Sequence, residues 1–201
     1  MKFKSSHEHW PLRGKFPHTP FAYIDCFTEA ECDDFIRLME RFKSNEIKGQ
    51  VQQSPEAEKN NVRDCFVNFM PTHEPSFQWI FERISKSTLN LNEQFYRYDV
   101  DEIETIQFTT YLGTQRSHYG QHLDHLSLGA VCRKLSCVVQ LSDPNDYEGG
   151  ELVLYLPNKT VVPKKRGTII MFPSFTPHAV YPVTKGKRYS AVSWILGPPF
   201  K

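Results

Sequence analysis

The sequence predicts an α+β protein in which two N-terminal helices buttress a double-sheet barrel. Two observations predict it. Apolar residues recur at helical spacing only in the first half of the chain, and from Phe95 onward that period gives way to many short strand-like runs. A length of 201 residues with 13% aromatics supplies enough apolar surface for such a core.

Residues 1–20 are polar, Pro-bearing and His-rich and read as an N-terminal arm; residues 21–201 read as a single domain. A short apolar stretch over 21–24 predicts a first strand. Thr28-Glu29-Ala30-Glu31 has the Thr-x-x-Glu form of a helix capping box. Behind it Cys32, Phe35, Ile36, Met39 and Phe42 share one helical face, so a helix is expected over 28–43. Residues 44–61 are polar and read either as a lid that grips substrate or as an ordinary disordered insertion. A strand follows over 61–69. Pro75 suits a first helical position, and Phe77, Ile80, Phe81, Ile84 and Leu91 supply the buried stripe of a second helix. Strand-like runs then fall at 95–100, 103–112, 134–141, 151–156, 167–172, 178–183 and 188–196. The breaks carry turn chemistry, as in Ser142-Asp143-Pro144-Asn145-Asp146 and Pro163-Lys164-Lys165-Arg166-Gly167. Gly149-Gly150 permits a tight backbone before a strand.

Charge is balanced, 24 Lys+Arg against 23 Asp+Glu. That excludes the electrostatic footprint of a nucleic-acid coat or a polybasic membrane binder. No apolar run approaches the roughly 18 residues of a membrane span, and the first residues lack the apolar centre of a signal peptide. The cysteines, Cys26, Cys32, Cys65, Cys132 and Cys137, are odd in number, and no pair has C-x-x-C spacing. They read as reduced thiols, mostly buried, in a cytoplasmic protein. Lys164-Lys165-Arg166 reads as a solvated hairpin tip.

In the run 103–112, Gln107, Thr109 and Tyr111 share one face and Ile106, Phe108 and Leu112 the other. An apolar face suits the helices; the polar one suits a wet cavity or solvent. Gly120-Gln121-His122-Leu123-Asp124 contains His-x-Asp, and residues two apart in extended chain point to one side, so His122 and Asp124 can offer donors to one metal. Alone, that pattern is common by chance. Farther on, His178 opens one predicted strand and Arg188 another. Two histidines and a carboxylate form the facial triad of non-haem Fe(II) oxygenases, which leaves three positions for a chelating 2-oxo acid and O2. The far carboxylate of such an acid needs a cation, and Arg offers a bidentate fork.

These residues, in this order, resemble the 2-oxoglutarate/Fe(II)-dependent dioxygenases of the prolyl 4-hydroxylase-like branch, most closely the PKHD-type hydroxylases. The resemblance runs from about Phe95 to Phe200. It is carried by His122-Leu123-Asp124, by Leu141 through Glu148-Gly149-Gly150-Glu151-Leu152, and by Gly167 through Pro173 and His178 to Gly186-Lys187-Arg188. It implies a double-stranded β-helix, or jelly roll, over about 95–200. It makes His122, Asp124 and His178 the iron ligands and Arg188 the holder of the distal carboxylate of 2-oxoglutarate. Tyr111 and Tyr119 fall where the family places aromatic residues around co-substrate and iron, and Ser190 shares a face with Arg188. Trp194 continues that alternation and reads as core. Some animal relatives carry a co-substrate-binding Tyr on the strand matching 134–141; this chain has none there, which shifts weight to Tyr111. His118 and His125 flank the motif as competing ligands, and His122 is preferred because it alone stands two before an Asp.

The implied reaction uses Fe(II), 2-oxoglutarate and O2, with ascorbate as a candidate accessory, and hydroxylates a C–H bond with release of succinate and CO2. The branch implies a peptide or protein substrate, most simply a peptidyl proline; a free amino acid or other small molecule stays open. Nucleic-acid demethylases of the superfamily carry a second Arg six residues beyond the anchor, where this chain has Trp194, and nucleic acid is not expected as a partner. A non-catalytic cupin-like metal-binding module and an inactive relative are the alternatives. The first leaves Arg188 unexplained, and the second leaves the intact triad unexplained.

Overall fold

The computed structural model describes residues 19–49, 62–156 and 158–200. Most of the expected arm and residues 50–61 of the expected lid lie outside the described residues. The elements described in this part of the chain are α1 (Glu29–Arg41), α2 (Gln78–Leu91) and a run of strands: β1 (Ala22–Asp25), β2 (Ile47–Lys48), β3 (Arg63–Asp64), β4 (Phe66–Phe69), β5 (Glu102–Ile103), β6 (Gln107–Leu112), β7 (His118–His122) and β8 (Ser127–Leu128). The remainder is β9 (Val131–Gln140), β10 (Tyr147–Gly149), β11 (Leu152–Tyr155), β12 (Lys159–Val161), β13 (Thr168–Pro173), β14 (His178–Val180) and β15 (Val183–Gly197).

The strands form two antiparallel sheets. The larger runs β1-β13-β9-β15-β6-β4-β2, with β5 and β10 paired to β15 and β8 to β9; the smaller runs β12-β11-β14-β7-β3. Side-chain alternation divides the larger sheet between two cores. Leu135, Cys137 and Val139 of β9, Ile169 and Met171 of β13 and Ala191 and Ile195 of β15 pack with the helices. The intervening Val138, Ile170 and Phe172 meet Leu152, Leu154 and Val180 of the smaller sheet. This is the expected double-stranded β-helix with buttressing helices. Strands from before Phe95 join both sheets, since β1 flanks β13 and β3 flanks β7.

The first helix forms as its sequence dictates. Thr28 accepts from the Glu31 N–H while the Glu31 carboxylate accepts from the Thr28 N–H, a complete capping box. Phe35 of α1 packs on Phe108 of β6, with ring centroids 6.2 Å apart. Arg83 of α2 holds Glu31 at 2.7 Å and so ties the two helices together. A short 3-10 turn from Pro75 leads into α2.

Several expectations are corrected. No strand covers 95–100: the helix continues through a π turn over Asn92–Tyr96. Arg97 ends it in the left-handed region at φ 53°, and the Asn92 side chain pairs with both backbone groups of Tyr98. The run 103–112 is two strands, β5 and β6, broken where Glu104 and Thr105 turn to bond other elements. Arg188 lies within a long strand, since β15 starts at Val183. The basic run is not a free hairpin tip: Lys164 pairs with Glu151, Lys165 with Asp25 and Arg166 with Asp33.

Candidate active site

Register brings the two histidines together. His122 ends β7 and His178 begins β14, and the two are direct cross-strand partners. Asp124 lies two residues past the end of β7, tied down by its N–H to the Ser174 carbonyl at 3.1 Å. Leu123 between them points outward, 55% exposed, as the spacing argument requires. His122 Nε2 stands 3.5 Å from one Asp124 oxygen and His178 Nε2 3.3 Å from the other. Of the His, Cys, Asp and Glu groups among the described residues, these three cluster with donor atoms within 4.8 Å of one another.

Each imidazole is held by its other nitrogen. His122 Nδ1 sits 2.8 Å from the Gly120 carbonyl and His178 Nδ1 2.9 Å from the Thr176 carbonyl. A carbonyl only accepts, so Nδ1 carries the proton and the Nε2 lone pair faces the cluster. Burial lowers the His122 pKa and favours the neutral ligand form. Ser136 of β9 donates to the Asp124 carboxylate at 2.7 Å and fixes its rotation. Two neutral imidazoles and one carboxylate fit a divalent first-row metal with open positions.

The cluster lines a cavity of about 440 Å³ that reaches Arg188. Arg188 is 1% exposed. One terminal nitrogen donates to Gln140 Oε1 at 2.9 Å, the other approaches Ser190 Oγ at 3.4 Å, and Nε has no partner among the described residues. The Tyr111 ring lies 5.1 Å from the guanidinium, and burial pushes its phenol well above the usual value. Arg188 makes no ion pair with a carboxylate among the described residues. The nearby Glu151 is held by Lys164 at 2.8 Å. A buried guanidinium without a counter-ion fits an anionic ligand group.

The structure brings together each site residue expected from sequence. Tyr119 stacks on His122 with centroids 3.6 Å apart, and the Arg63 guanidinium lies 4.4 Å from the Tyr119 ring centre. His118 instead faces the Arg116 carbonyl, and His125 is an exposed residue of the cavity wall. Sequence reasoning missed Ser136 and Gln140, which lie four apart on one face of β9 with apolar Val138 between them. Trp194 is buried, as expected of a core residue, and also lines the cavity, with the Arg133 guanidinium 3.9 Å over its ring and Glu104 gripping Arg133.

Comparison with known proteins agrees with this geometry. Residues 106–196 match the 2OG-Fe(II) oxygenase superfamily. A PKHD-type hydroxylase of Sphingopyxis alaskensis is 36% identical over 158 residues, 74% of this chain and 66% of that protein. One from Prochlorococcus marinus is 42% identical over 78 residues, 38% of this chain and 35% of that protein. In both cases the match spans less than two thirds of the relative's length. A Pseudomonas putida prolyl-4-hydroxylase structure superposes with a TM-score of 0.68 at 18% identity, covering 90% of this chain and 94% of that one. A Trichoplax adhaerens prolyl hydroxylase, solved with a hypoxia inducible factor peptide, gives 0.71 at 18% identity, covering 89% and 84%. On the family match over 106–196, these relatives and the shared fold, the chain is similar to the 2OG-Fe(II) oxygenase superfamily and, within it, resembles the PKHD-type hydroxylases.

Proposed function

We propose that the protein is an Fe(II)- and 2-oxoglutarate-dependent dioxygenase that hydroxylates a peptidyl proline and releases succinate and CO2. The observation that carries this reading is one cavity with a metal-competent His-Asp-His cluster and a buried, carboxylate-free arginine. In the proposal His122, Asp124 and His178 hold iron, and Arg188 with Ser190 binds the distal carboxylate of 2-oxoglutarate. Tyr111 walls that carboxylate site and Tyr119 braces His122. When bound, iron supplies the redox chemistry that couples O2 reduction to co-substrate decarboxylation and C–H hydroxylation.

The residues of this chain do the positioning. The Gly120 and Thr176 carbonyls hold the Nδ1 protons, so neither imidazole must reorganise on binding metal. Ser136 keeps Asp124 from rotating out of the cluster. Buried Val138 and Val180 give the cavity an apolar lining that disfavours water. A peptide substrate is supported by the fold neighbour solved with a peptide and by an open cavity mouth bearing exposed Leu123 and Phe69. We take residues 21–201 as one domain, ascorbate as an accessory reductant, and the cytoplasm as the compartment. Five unpaired cysteines support the last. No helix among the described residues is long and apolar enough to cross a membrane.

The test is anaerobic titration of Fe(II)-loaded protein with 2-oxoglutarate. A visible charge-transfer band that vanishes in His178→Ala is the expected result. Stoichiometric iron with no band would overturn the reading. Proline-containing peptides are then screened by mass spectrometry for gain of one oxygen.

A further inference from the structure

Gln140 is the last residue of β9 and is 2% exposed. Both ends of its amide are committed. Nε2 donates to the Pro163 carbonyl at 3.1 Å, and Oε1 accepts from Arg188 at 2.9 Å. The first bond matters for the second. A backbone carbonyl accepts only, so it fixes which end of the amide faces Arg188, and that end can only be the oxygen. β9 and β15 pair directly, with Gln140 opposite Ser190. The Gln140 and Ser190 oxygens therefore take one terminal nitrogen each.

We propose that Gln140 is a positioning residue for the co-substrate anchor and that it sets selectivity for a dicarboxylic 2-oxo acid. Its amide orients the guanidinium without neutralising it. A carboxylate at this place would orient Arg188 equally well but would satisfy its charge. An apolar residue would leave charge in place and lose the aim. A neutral acceptor keeps a buried cation both aimed and unpaired, so the distal carboxylate of the co-substrate becomes its counter-ion. This inference rests on the proposed co-substrate role of Arg188.

The experiment uses the full chain loaded with Mn(II) and reads binding by calorimetry rather than turnover. Two probes are titrated: 2-oxoglutarate, and 2-oxobutyrate, which shares the chelating head and lacks the distal carboxylate. Wild type is expected to prefer 2-oxoglutarate. In Gln140→Leu, affinity for 2-oxoglutarate falls about tenfold, the scale of one charge-assisted hydrogen bond, while 2-oxobutyrate binding and Mn(II) affinity stay within about twofold. In Gln140→Glu, the preference between the two acids collapses because Arg188 acquires an internal partner. Should the leucine variant fail to fold, the near-isosteric glutamate variant decides. Equal loss of both acids, or unchanged selectivity in the folded variants, overturns the assignment of Gln140 alone. A wild type that binds neither acid overturns the reading of the site and this inference with it.

Discussion

At the scale of single residues, the site is built from groups that hold other groups still. Ser136 touches no ligand position, yet it donates to the Asp124 carboxylate and contacts Ser174 at 3.0 Å. Ser136→Ala is expected to weaken metal binding about tenfold, the lower end of what outer hydrogen bonds contribute; competition with a fluorescent chelator measures it. Gly150 is the second such case. Its φ is +64°, and a Cβ there would meet the Arg188 Cδ at 2.9 Å and a Val183 methyl at 2.8 Å. Gly150→Ala is expected to cost roughly 1–2 kcal/mol from backbone conformation and also to weaken 2-oxoglutarate binding by displacing the arginine stem. Chemical denaturation and calorimetry separate the two effects. Sequence marked His122, Asp124, His178 and Arg188 because their chemistry has few other uses in that order. It could not mark Ser136 or Gln140, since a serine or glutamine in a strand has many uses and only register shows what it faces.

At the scale of elements, local rules spoke clearly for helix starts and poorly for strand breaks. Thr-x-x-Glu announced α1 because every partner in a capping box lies within one turn. Thr28→Ala is expected to destabilise the protein by about 1 kcal/mol, read as a lower denaturant midpoint at unchanged slope. The Thr28 N–H lowers the Glu31 pKa, burial opposes this, and Arg83 assists it. A depressed carboxyl binds its proton at lower pH folded than unfolded. Its contribution is therefore present above the unfolded pKa and is lost as pH falls through the folded one. Glu31→Gln is expected to flatten that part of the acid limb, as followed by thermal melts across the carboxylate range. The break between β5 and β6 was not legible, because it arises from partners far away: Thr105 donates to the Met70 carbonyl and Glu104 takes Arg133. The missing strand at 95–100 has a local origin instead, since Asn92 caps the helix end by pairing with the backbone of Tyr98.

At the scale of the whole molecule, the two sheets divide the labour. The smaller sheet carries His122 and His178; the larger carries Arg188, Ser190, Gln140 and Ser136. A ligand that binds both the cluster and the anchor therefore bridges the sheets and should stabilise the fold as a unit. Mn(II) is expected to raise the melting temperature, and 2-oxoglutarate to raise it further only when Mn(II) is present. A concentration one hundred times the dissociation constant is worth about 2.7 kcal/mol. His122→Ala and Asp124→Ala are expected to abolish the Mn(II) response, which differential scanning fluorimetry reports directly. The pattern of pairings also predicts slow folding, on the order of milliseconds to seconds, because β1 joins β13 and β4 joins β6 across long separations. Stopped-flow refolding checks this.

The segment from β14 into β15 has one more consequence. His178 and Arg188 are ten positions apart on one continuous stretch that crosses from the smaller sheet to the larger. That stretch works as a ruler. Its number of residues fixes both the span offered to a ligand and the side of β15 on which the guanidinium emerges. Adding or deleting a single residue there would turn Arg188 toward the helices and bring Lys187 or Tyr189 into the cavity. Chain length between these two landmarks is therefore itself part of how the protein measures its ligand.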